Sequence, residues 1–316
     1  MTALRTAIIG VGHQGRYHAD KYASLAESEL VGVVDLDCER GEALANSLGV
    51  SFSNDYRSLI GQVDAVSIAV PTSKHFEIAS AFLESGTHVL LEKPMTSTVD
   101  EAARLVEMAD DKDLVLQVGH LERFNSAILA LDGYCRDPRF IESYRIAPFK
   151  ERGTDINVVL DLMIHDIDLI QGIVRSPIKQ LDASGTPVIS KEIDVANARI
   201  RFENGCVANV TASRVSLKTE RRIRIFQDDA YMSVDMHKNA LTVYQKGAGS
   251  QDSELPGIAV EKQSYERSDA LKLQIEAFLE SIRSNKPPVV PGIVGKRALE
   301  TAIRISELVS KNHAEG

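Results

Sequence analysis

The chain of 316 residues carries 36 lysines and arginines against 45 aspartates and glutamates, a formal net charge of −9, and 44% of its residues are hydrophobic. At roughly 150 residues per domain, this length predicts about two domains, each with its own core. The composition excludes a disulfide scaffold and a mostly disordered chain, and the acidic balance disfavours nucleic acid and anionic membranes as partners.

The first 120 residues alternate short β-branched runs with amphipathic helical stretches. The predicted strands are 5–10, 30–35, 65–70, 88–92 and 114–119, and the predicted helices are 13–26, 38–48, 75–85 and 99–111. This alternation predicts an α/β domain over residues 1–121, with a doubly wound parallel sheet covered by helices on both faces.

The pattern changes after residue 121. The predicted helices are 124–131, 156–174, 268–284 and 295–311, and the predicted strands are 139–147, 179–185, 194–203, 206–213, 221–227, 231–236 and 240–245. Consecutive strands without intervening helices predict an open, mostly antiparallel sheet. We therefore expect an α+β domain over residues 122–316, and a homodimer or homotetramer because an open sheet face needs cover.

The three cysteines, Cys38, Cys135 and Cys206, form no CxxC pair, which is typical of proteins in a reducing compartment. The amino terminus shows no basic stretch followed by an apolar one, so we expect no secretory signal. The helix predicted over residues 156–174 contains aspartates and a histidine that would be costly in lipid. These observations predict a cytoplasmic protein without a membrane span.

A GxGxxG motif stands at the junction between the first strand and the first helix. Its residues are Gly10, Gly12, His13, Gln14 and Gly15. The first glycine permits the turn, the second lets a pyrophosphate approach the backbone, and the third lets the helix pack closely on the strand. The alternative is a glycine turn without a ligand. The order of strand, turn and helix favours a Rossmann dinucleotide-binding domain.

Asp35 ends the second strand, twenty residues beyond Gly15. A carboxylate at this position can accept hydrogen bonds from both ribose hydroxyls of the adenosine moiety. It would also repel a 2′-phosphate, so NAD is expected as cofactor rather than NADP, although Arg40 places a cation close by in the sequence.

Polar residues follow the later strands of the same domain. Thr72 and His75 follow the third strand, Glu92 ends the fourth and Lys93 follows it, and Gln117 lies in the fifth. The carboxyl ends of parallel strands share one edge, where ligands bind, so we expect these residues to contact the dinucleotide. Pro94 stiffens the turn that carries the lysine. A solvated surface charge is the alternative reading of that lysine.

Asp161, His165 and Asp168 are spaced four and three residues apart in the predicted helix 156–174. This spacing puts them on one face, close enough to interact. A helix cap, a core histidine and a solvent-exposed acid would be the structural alternative. No HExxH motif or cysteine partner accompanies them, so no metal is expected.

The glycine motif, Glu92-Lys93-Pro94 and the DxxxH of Asp161 and His165 together resemble the glucose-fructose oxidoreductase, inositol dehydrogenase and rhizopine-catabolism (Gfo/Idh/MocA) family over nearly the whole chain. The resemblance implies a Rossmann domain followed by a domain whose open sheet often forms the oligomer interface. It also implies that Lys93, Asp161 and His165 face the nicotinamide and that the Lys93–Pro94 bond is cis. The glycines usual around DxxxH are missing here, which bears on pocket shape.

Oxidation of a secondary alcohol removes a hydride from carbon and a proton from oxygen, so a base with a near-neutral pKa is useful. His165 supplies such a base, Lys93 can stabilise the alkoxide, and Asp161 can hold the imidazole. The sequence leaves open whether the lysine or the histidine takes the proton.

Residues 118–125, Val-Gly-His-Leu-Glu-Arg-Phe-Asn, are similar to a segment of family members that dehydrogenate nucleotide-activated amino sugars, especially UDP-N-acetylglucosamine at C3. The resemblance implies oxidation at C3 of a UDP-linked N-acetylhexosamine, in lipopolysaccharide or lipid A precursor synthesis. The residues expected to bind this substrate are His120, Arg123, Asn125, Arg152, Asp161 and His165.

Two other functions stay open: dehydrogenation of inositol or another polyol, and an inactive dinucleotide-binding regulator. The presence of both Lys93 and His165 argues against the regulator. A basic segment from Arg214 to Arg224 is a second candidate site for a diphosphate, and a salt-bridged strand face is its alternative.

Overall fold

The computed structural model describes residues 2–149, 156–247 and 257–315. Internal contacts divide the chain into two units. The first comprises the residues up to Leu121 together with Asp269–Leu299, and the second comprises Glu122–Ser268 together with the residues from Glu300 onward. The predicted boundary after residue 121 coincides with the first division, whereas residues 269–299 group with the first unit rather than with the second.

The first unit contains a six-stranded parallel sheet in the order β3-β2-β1-β4-β5-β6. Its strands are β1 (Leu4–Ile9), β2 (Ser28–Val34), β3 (Ser51–Ser53), β4 (Ala65–Ile68), β5 (His88–Leu91) and β6 (Leu116–Val118). The helices between them are α1 (His13–Ser24), α2 (Cys38–Leu48), α3 (His75–Glu84) and α4 (Val99–Asp111). The order is that of a doubly wound Rossmann fold, as predicted. The three-residue strand β3 was not predicted.

Local signals in the sequence set the ends of these helices. Helix α4 begins with a capping box in which Thr98 Oγ accepts from the Glu101 N–H at 3.2 Å and the Glu101 carboxylate accepts from the Thr98 N–H at 3.2 Å. Helix α2 ends at Gly49, whose φ of +70° fits the left-handed cap.

The second unit contains an eight-stranded sheet in the order β14-β13-β12-β11-β7-β10-β9-β8. Its strands are β7 (Phe140–Ile146), β8 (Ile178–Thr186), β9 (Val195–Phe202), β10 (Val207–Ser213), β11 (Glu220–Gln227), β12 (Ala230–Asp235), β13 (Ala240–Lys246) and β14 (Ile258–Ser264). Among the described strands of this second sheet, only the β7–β10 pair is parallel, so the mostly antiparallel sheet is confirmed. Strand β14 was missed because this edge strand buries little and lacks a clear apolar alternation.

Three predicted helices differ from the observed ones. The helix predicted over 124–131 is α5 (Ser126–Leu129), flanked by 3₁₀ turns at Leu121–Phe124 and Ala130–Gly133. The helix predicted over 156–174 is a π-helical turn, Val159–Met163, that continues into α6 (Ile164–Val174). The last helix is longer than predicted, and the helices after the second sheet are α7 (Ala270–Ser284) and α8 (Gly292–Glu315).

Helix α7 belongs to the core of the first unit. Its residues Ile275, Phe278 and Leu279, each at most 1% exposed, share one hydrophobic cluster with Ile8 of β1 and Leu90 of β5. The chain therefore returns to the parallel sheet after completing the second sheet. Within the described ranges, no helix combines the length and the apolar character needed to cross a membrane.

Candidate active site

The glycine motif forms a tight turn between β1 and α1. Gly10 has a φ of +85°, and a Cβ there would lie 2.7 Å from Val70 Cγ1 and 2.9 Å from the Ala69 carbonyl oxygen. A Cβ on Gly15 would lie 1.7 Å from the Gly10 carbonyl oxygen, so α1 packs directly on the turn. The structural reasons predicted for these two glycines are confirmed.

Gly12 is the N-cap residue of α1, and a Cβ there would meet no atom within 4 Å. Within the described part of the chain, no side chain caps this helix, and the neighbouring His13 and Gln14 are exposed. The first N–H groups of a helix attract anions. The turn therefore fits the pyrophosphate of a dinucleotide.

Asp35 lies at the end of β2, and its carboxylate faces the glycine turn. Its Oδ2 accepts from the Val11 N–H at 2.7 Å, and its Oδ1 accepts from the Asp37 N–H at 2.9 Å and from Arg40 Nη2 at 2.7 Å. Burial alone would raise the pKa of Asp35, but the Arg40 guanidinium and the two backbone N–H groups outweigh it and hold this pKa below its usual value. The residue is therefore a fixed carboxylate beside a half-exposed guanidinium.

The Glu92-Lys93-Pro94 turn follows β5 at the same edge of the sheet. The Lys93–Pro94 bond is cis, as the family resemblance implied. Glu92 Oε1 lies 3.2 Å from His18 Nε2, and Lys93 is half-buried. Burial would raise the pKa of Glu92, but His18, Lys93 and His75 outweigh it and hold this pKa below its usual value. Glu92 is thus ionised.

Three other residues expected to bind the cofactor are half-buried or fully buried. Thr72 is half-buried and begins a 3₁₀ turn after β4. His75 is 1% exposed and bonded to backbone carbonyl oxygens, and Gln117 is 0% exposed and donates from Nε2 to the Gln274 carbonyl oxygen at 3.0 Å. These two side chains are thus engaged within the protein, and the expectation that His75 and Gln117 contact the dinucleotide stays a prediction.

In the second unit, Asp161 lies in the π-helical turn and His165 in the first turn of α6. The Asn157 side chain caps this segment by accepting from the N–H groups of Val159 and Leu160, each at 3.1 Å. Both Asp161 and His165 are partly exposed, whereas Asp168 is 1% exposed. Asp168 is instead engaged by Arg123 at 2.6 Å. Single π-helical turns are frequent at functional sites.

Polar residues expected to bind the substrate mostly have protein partners. Arg123 forms an ion pair with Asp168, and Asn125 donates to the Met236 carbonyl oxygen at 3.1 Å and to Asn239 Oδ1 at 3.0 Å. His120 follows β6 and is 1% exposed. Arg152 lies outside the described residues.

The arginines of the basic segment in the second unit form salt bridges. These ion pairs are Arg214–Asp194 (2.7 Å), Arg221–Glu122 (3.4 Å), Arg222–Glu220 (3.6 Å), Arg222–Asp235 (3.9 Å) and Arg224–Glu142 (3.4 Å). The diphosphate site considered for this segment is therefore corrected, because each of these arginines already has a carboxylate partner.

Two residues next to Glu92 were not predicted from the sequence. His18 contacts Glu92, and Gly119 lies where a Cβ would come 2.6 Å from Glu92 Oε1. Their signals were present: His18 stands one helical turn after Gly15, on the face that packs on the sheet, and Gly119 ends a predicted strand.

Comparison with known families agrees with this geometry. Residues 4–120 match the oxidoreductase family with an NAD-binding Rossmann fold, and residues 128–233 match the GFO/IDH/MocA C-terminal domain. The chain belongs to the Gfo/Idh/MocA family of oxidoreductases. The predicted family, the fold class and a dehydrogenase that acts on CH–OH groups are confirmed.

Individual relatives cover nearly the whole chain. The UDP-N-acetylglucosamine 3-dehydrogenase of Acidithiobacillus ferrooxidans is 41% identical over 307 residues, 96% of this chain and 97% of the relative. Its solved structure matches with a TM-score of 0.93 over 98% of each chain. The myo-inositol 2-dehydrogenase of Thermotoga maritima is 25% identical over 315 residues, 94% of this chain and 93% of the relative. A levoglucosan dehydrogenase solved with NADH and levoglucosan, 19% identical, shares the fold with a TM-score of 0.87 over 98% of each chain.

Proposed function

We propose that this protein is an NAD-dependent dehydrogenase that oxidises the C3 hydroxyl of a UDP-linked N-acetylhexosamine, with UDP-N-acetylglucosamine as the first candidate. The observation that carries this proposal is the 41% identity with a UDP-N-acetylglucosamine 3-dehydrogenase over almost the full length of both chains. Lys93, Asp161 and His165 supply the functional groups that the reaction needs.

The Asp35 carboxylate supports NAD rather than NADP. It lies at the end of β2, where it can accept hydrogen bonds from ribose hydroxyls, and its negative charge opposes a 2′-phosphate. Gly10, Gly12 and Gly15 would hold the pyrophosphate at the start of α1. When bound, the nicotinamide accepts the hydride released from the substrate carbon.

The catalytic groups have complementary roles in this proposal. Loss of the hydroxyl proton leaves negative charge on the substrate oxygen, and the Lys93 ammonium stabilises that charge. The His165 imidazole is a base suited to near-neutral pH, and Asp161 offsets the positive charge that the ring gains on protonation. The product is a 3-keto sugar nucleotide. This chemistry suits a cytoplasmic enzyme with a small-molecule substrate.

A panel assay tests the substrate. Purified protein is mixed with NAD or NADP and with UDP-N-acetylglucosamine, UDP-N-acetylgalactosamine, UDP-glucose or myo-inositol, and formation of the reduced nicotinamide is followed by absorbance. We expect turnover with the UDP-N-acetylhexosamines and a ketone at C3 in the product. Turnover with free polyols alone would instead assign the enzyme to the inositol dehydrogenases, to which it is 25% identical.

Variants test the catalytic set and exclude an inactive regulator. Lys93→Met and His165→Asn should each lower kcat by at least about a hundredfold, because each removes a group that acts in the transition state. Their pH profiles distinguish the residue that takes the proton. Lys74→Met is the matched control, since this exposed lysine lies at the same sheet edge and pairs with Glu77 at 3.1 Å. A wild-type protein that binds NADH but turns over no substrate would be a regulator.

We infer further that two copies pack through the open face of the eight-stranded sheet. A row of half-buried aromatic rings crosses this face: Phe140, Phe226, Tyr231 and Tyr244, with successive ring centroids 5.9, 4.7 and 5.1 Å apart. Half-buried stacked rings on a sheet face favour an interface, since burying them removes apolar surface from water. A homodimer or homotetramer is the assembly we propose.

A further inference from the structure

Two buried histidines lie on either side of the turn that carries Lys93. His18 comes from α1 and His75 is the first residue of α3, and each is 1% exposed. Both belong to the first unit, and their rings contact the residues directly before and after the lysine. Neither has surface available for a ligand.

His75 binds the backbone on the carboxyl side of Lys93. Its Nδ1 lies 2.9 Å from the Pro94 carbonyl oxygen and 3.3 Å from that of Met95, and its Nε2 lies 2.9 Å from the Val70 carbonyl oxygen. The ring donates to one side when neutral and to both when protonated. Burial lowers the pKa of His75, while the carbonyl oxygens and Glu92 oppose this shift. With both nitrogens protonated the ring ties the turn to the end of β4, and the neutral ring binds one of the two sides.

His18 binds the side chain on the amino side of Lys93. Its Nε2 lies 3.2 Å from Glu92 Oε1, and its Nδ1 lies 2.7 Å from the Ser67 hydroxyl, which can donate to it. The Nε2–H can donate to the carboxylate, and Nδ1 and the serine hydroxyl share a hydrogen bond in which either can be the donor. Gly119 leaves the space that this carboxylate occupies, because a Cβ there would lie 2.6 Å from Glu92 Oε1.

We propose that His18 and His75 are positioning residues for Lys93: they fix the two neighbours of the lysine and so set the direction of its ammonium group. Lys93 has no rigid secondary structure of its own, since it stands in a bend after β5. Contacts to Glu92 on one side and to Pro94 and Met95 on the other supply that rigidity. The kinetic part of this inference rests on the role of Lys93 in the proposed function.

His88 is a control that separates an effect on the Lys93 turn from a general loss of stability. His88 begins β5, the strand that ends just before Lys93, and its Nδ1 accepts from the Val115 N–H at 2.9 Å. It is partly buried and bonded to backbone, but at the opposite edge of the sheet. Replacing it should destabilise the same strand without moving the turn.

The test compares His75→Leu, which removes both ring nitrogens, with His75→Gln, whose amide can donate to two carbonyl oxygens. We expect kcat with UDP-N-acetylglucosamine to fall by about a hundredfold in the leucine variant and by about tenfold in the glutamine variant, since small displacements of catalytic groups have such effects. NADH affinity, measured by fluorescence, should change by less than about threefold, because the glycine turn and Asp35 are unaltered. His88→Leu should keep its kcat.

Hydrogen exchange measured by mass spectrometry gives a readout that does not depend on activity. Exchange over residues 92–98 should rise in His75→Leu, return towards wild type in His75→Gln and stay unchanged in His88→Leu. Equal losses of kcat in the leucine and glutamine variants, or unchanged exchange over 92–98 in the leucine variant, would overturn the inference. If the wild-type protein turns over no UDP-sugar, the proposed function fails. The exchange comparison still tests whether His18 and His75 hold the turn that carries Lys93.

A second variant covers the case in which His75→Leu does not fold. In Gly119→Ala the added methyl displaces the Glu92 carboxylate from His18 without removing any hydrogen-bonding group. The inference requires raised exchange over residues 92–98 and a kcat lowered by about tenfold in this variant. A Gly119→Ala protein with wild-type kcat and exchange would contradict it.

Discussion

Arg123 binds Asp168 through both carboxylate oxygens, with Nε 2.6 Å from Oδ2 and Nη2 3.0 Å from Oδ1, and also donates to the Asp168 carbonyl oxygen at 2.8 Å. Gly172, one turn further along α6, lies against the same guanidinium: a Cβ there would be 2.1 Å from Nη1. The arginine therefore fixes α6, the helix that carries His165, and this bidentate pair is strong because Asp168 is buried.

Replacing Arg123 should destabilise the fold more than it weakens substrate binding. Arg123→Met leaves the Asp168 carboxylate buried without its partner, and we expect the free energy of unfolding to fall by about 3 to 5 kcal/mol. The KM for the UDP-sugar should rise by less than about threefold in the folded protein. Urea denaturation and steady-state kinetics measure the two effects. Arg139→Met is the control for an exposed ion pair. A large increase in KM with unchanged stability would make Arg123 a substrate ligand.

The Asp35 carboxylate should determine the choice between the two dinucleotides. Asp35→Ser removes the charge that opposes a 2′-phosphate and frees the Arg40 guanidinium, which now lies 2.7 Å from Asp35 Oδ1. We expect the ratio of kcat/KM for NADP to that for NAD to rise by about ten- to a hundredfold. Adding Arg40→Ala should reverse most of this gain. Glu39→Gln, which removes a nearby exposed carboxylate, should leave the ratio unchanged.

Asp194 should make the stability of the protein sensitive to acid. It is 0% exposed, and its carboxylate accepts from Arg214 Nε at 2.7 Å and from the N–H groups of Val188, Ile189 and Ser190. Burial would raise the pKa of Asp194, but these donors outweigh it and hold the pKa well below its usual range. Its stabilising contribution is therefore complete above about pH 4 and is lost as the pH falls below that towards the folded-state pKa.

Asp194→Asn tests this dependence. We expect the free energy of unfolding near neutral pH to fall by about 2 to 4 kcal/mol, because Arg214 then lacks its buried counter-charge. The difference from wild type should shrink in acid, which urea denaturation across a pH series would measure. Asp137→Asn, in an exposed pair with Arg139, is the control and should change stability little. A constant difference at every pH would show that the pKa of Asp194 is the same in the folded and unfolded protein and would contradict this prediction.

The aromatic row on the open sheet should hold the assembly together. Phe226→Lys places a charge in the middle of the stacked rings, and burying that charge between copies would be costly. We expect a shift towards monomer in sedimentation velocity or light scattering, with secondary structure unchanged. Ser47→Lys, at an exposed position on α2 of the first unit, is the comparison. An unaltered mass for Phe226→Lys would place the interface elsewhere.

The sequence predicted the architecture and several turns because those depend on local patterns. Gly10 and Gly15 have a spacing that fixes their roles, and the strand alternation defined both sheets. The partners of polar side chains could not be predicted in this way. Arg123 reaches Asp168 45 residues away and Gln117 reaches Gln274 157 residues away, and a guanidinium or an amide could have bound many other groups equally well. The π-helical turn at Val159–Met163 also has no sequence pattern distinct from that of an ordinary helix.

The return of α7 to the parallel sheet means that the dinucleotide module is not a continuous piece of the gene. A fragment ending at residue 121 would expose Ile8 and its neighbours where Ile275, Phe278 and Leu279 now pack. Recombination that exchanges cofactor-binding domains between related dehydrogenases must therefore transfer residues 1–121 and 269–299 together. The amino-terminal part alone would expose a hydrophobic surface that favours aggregation.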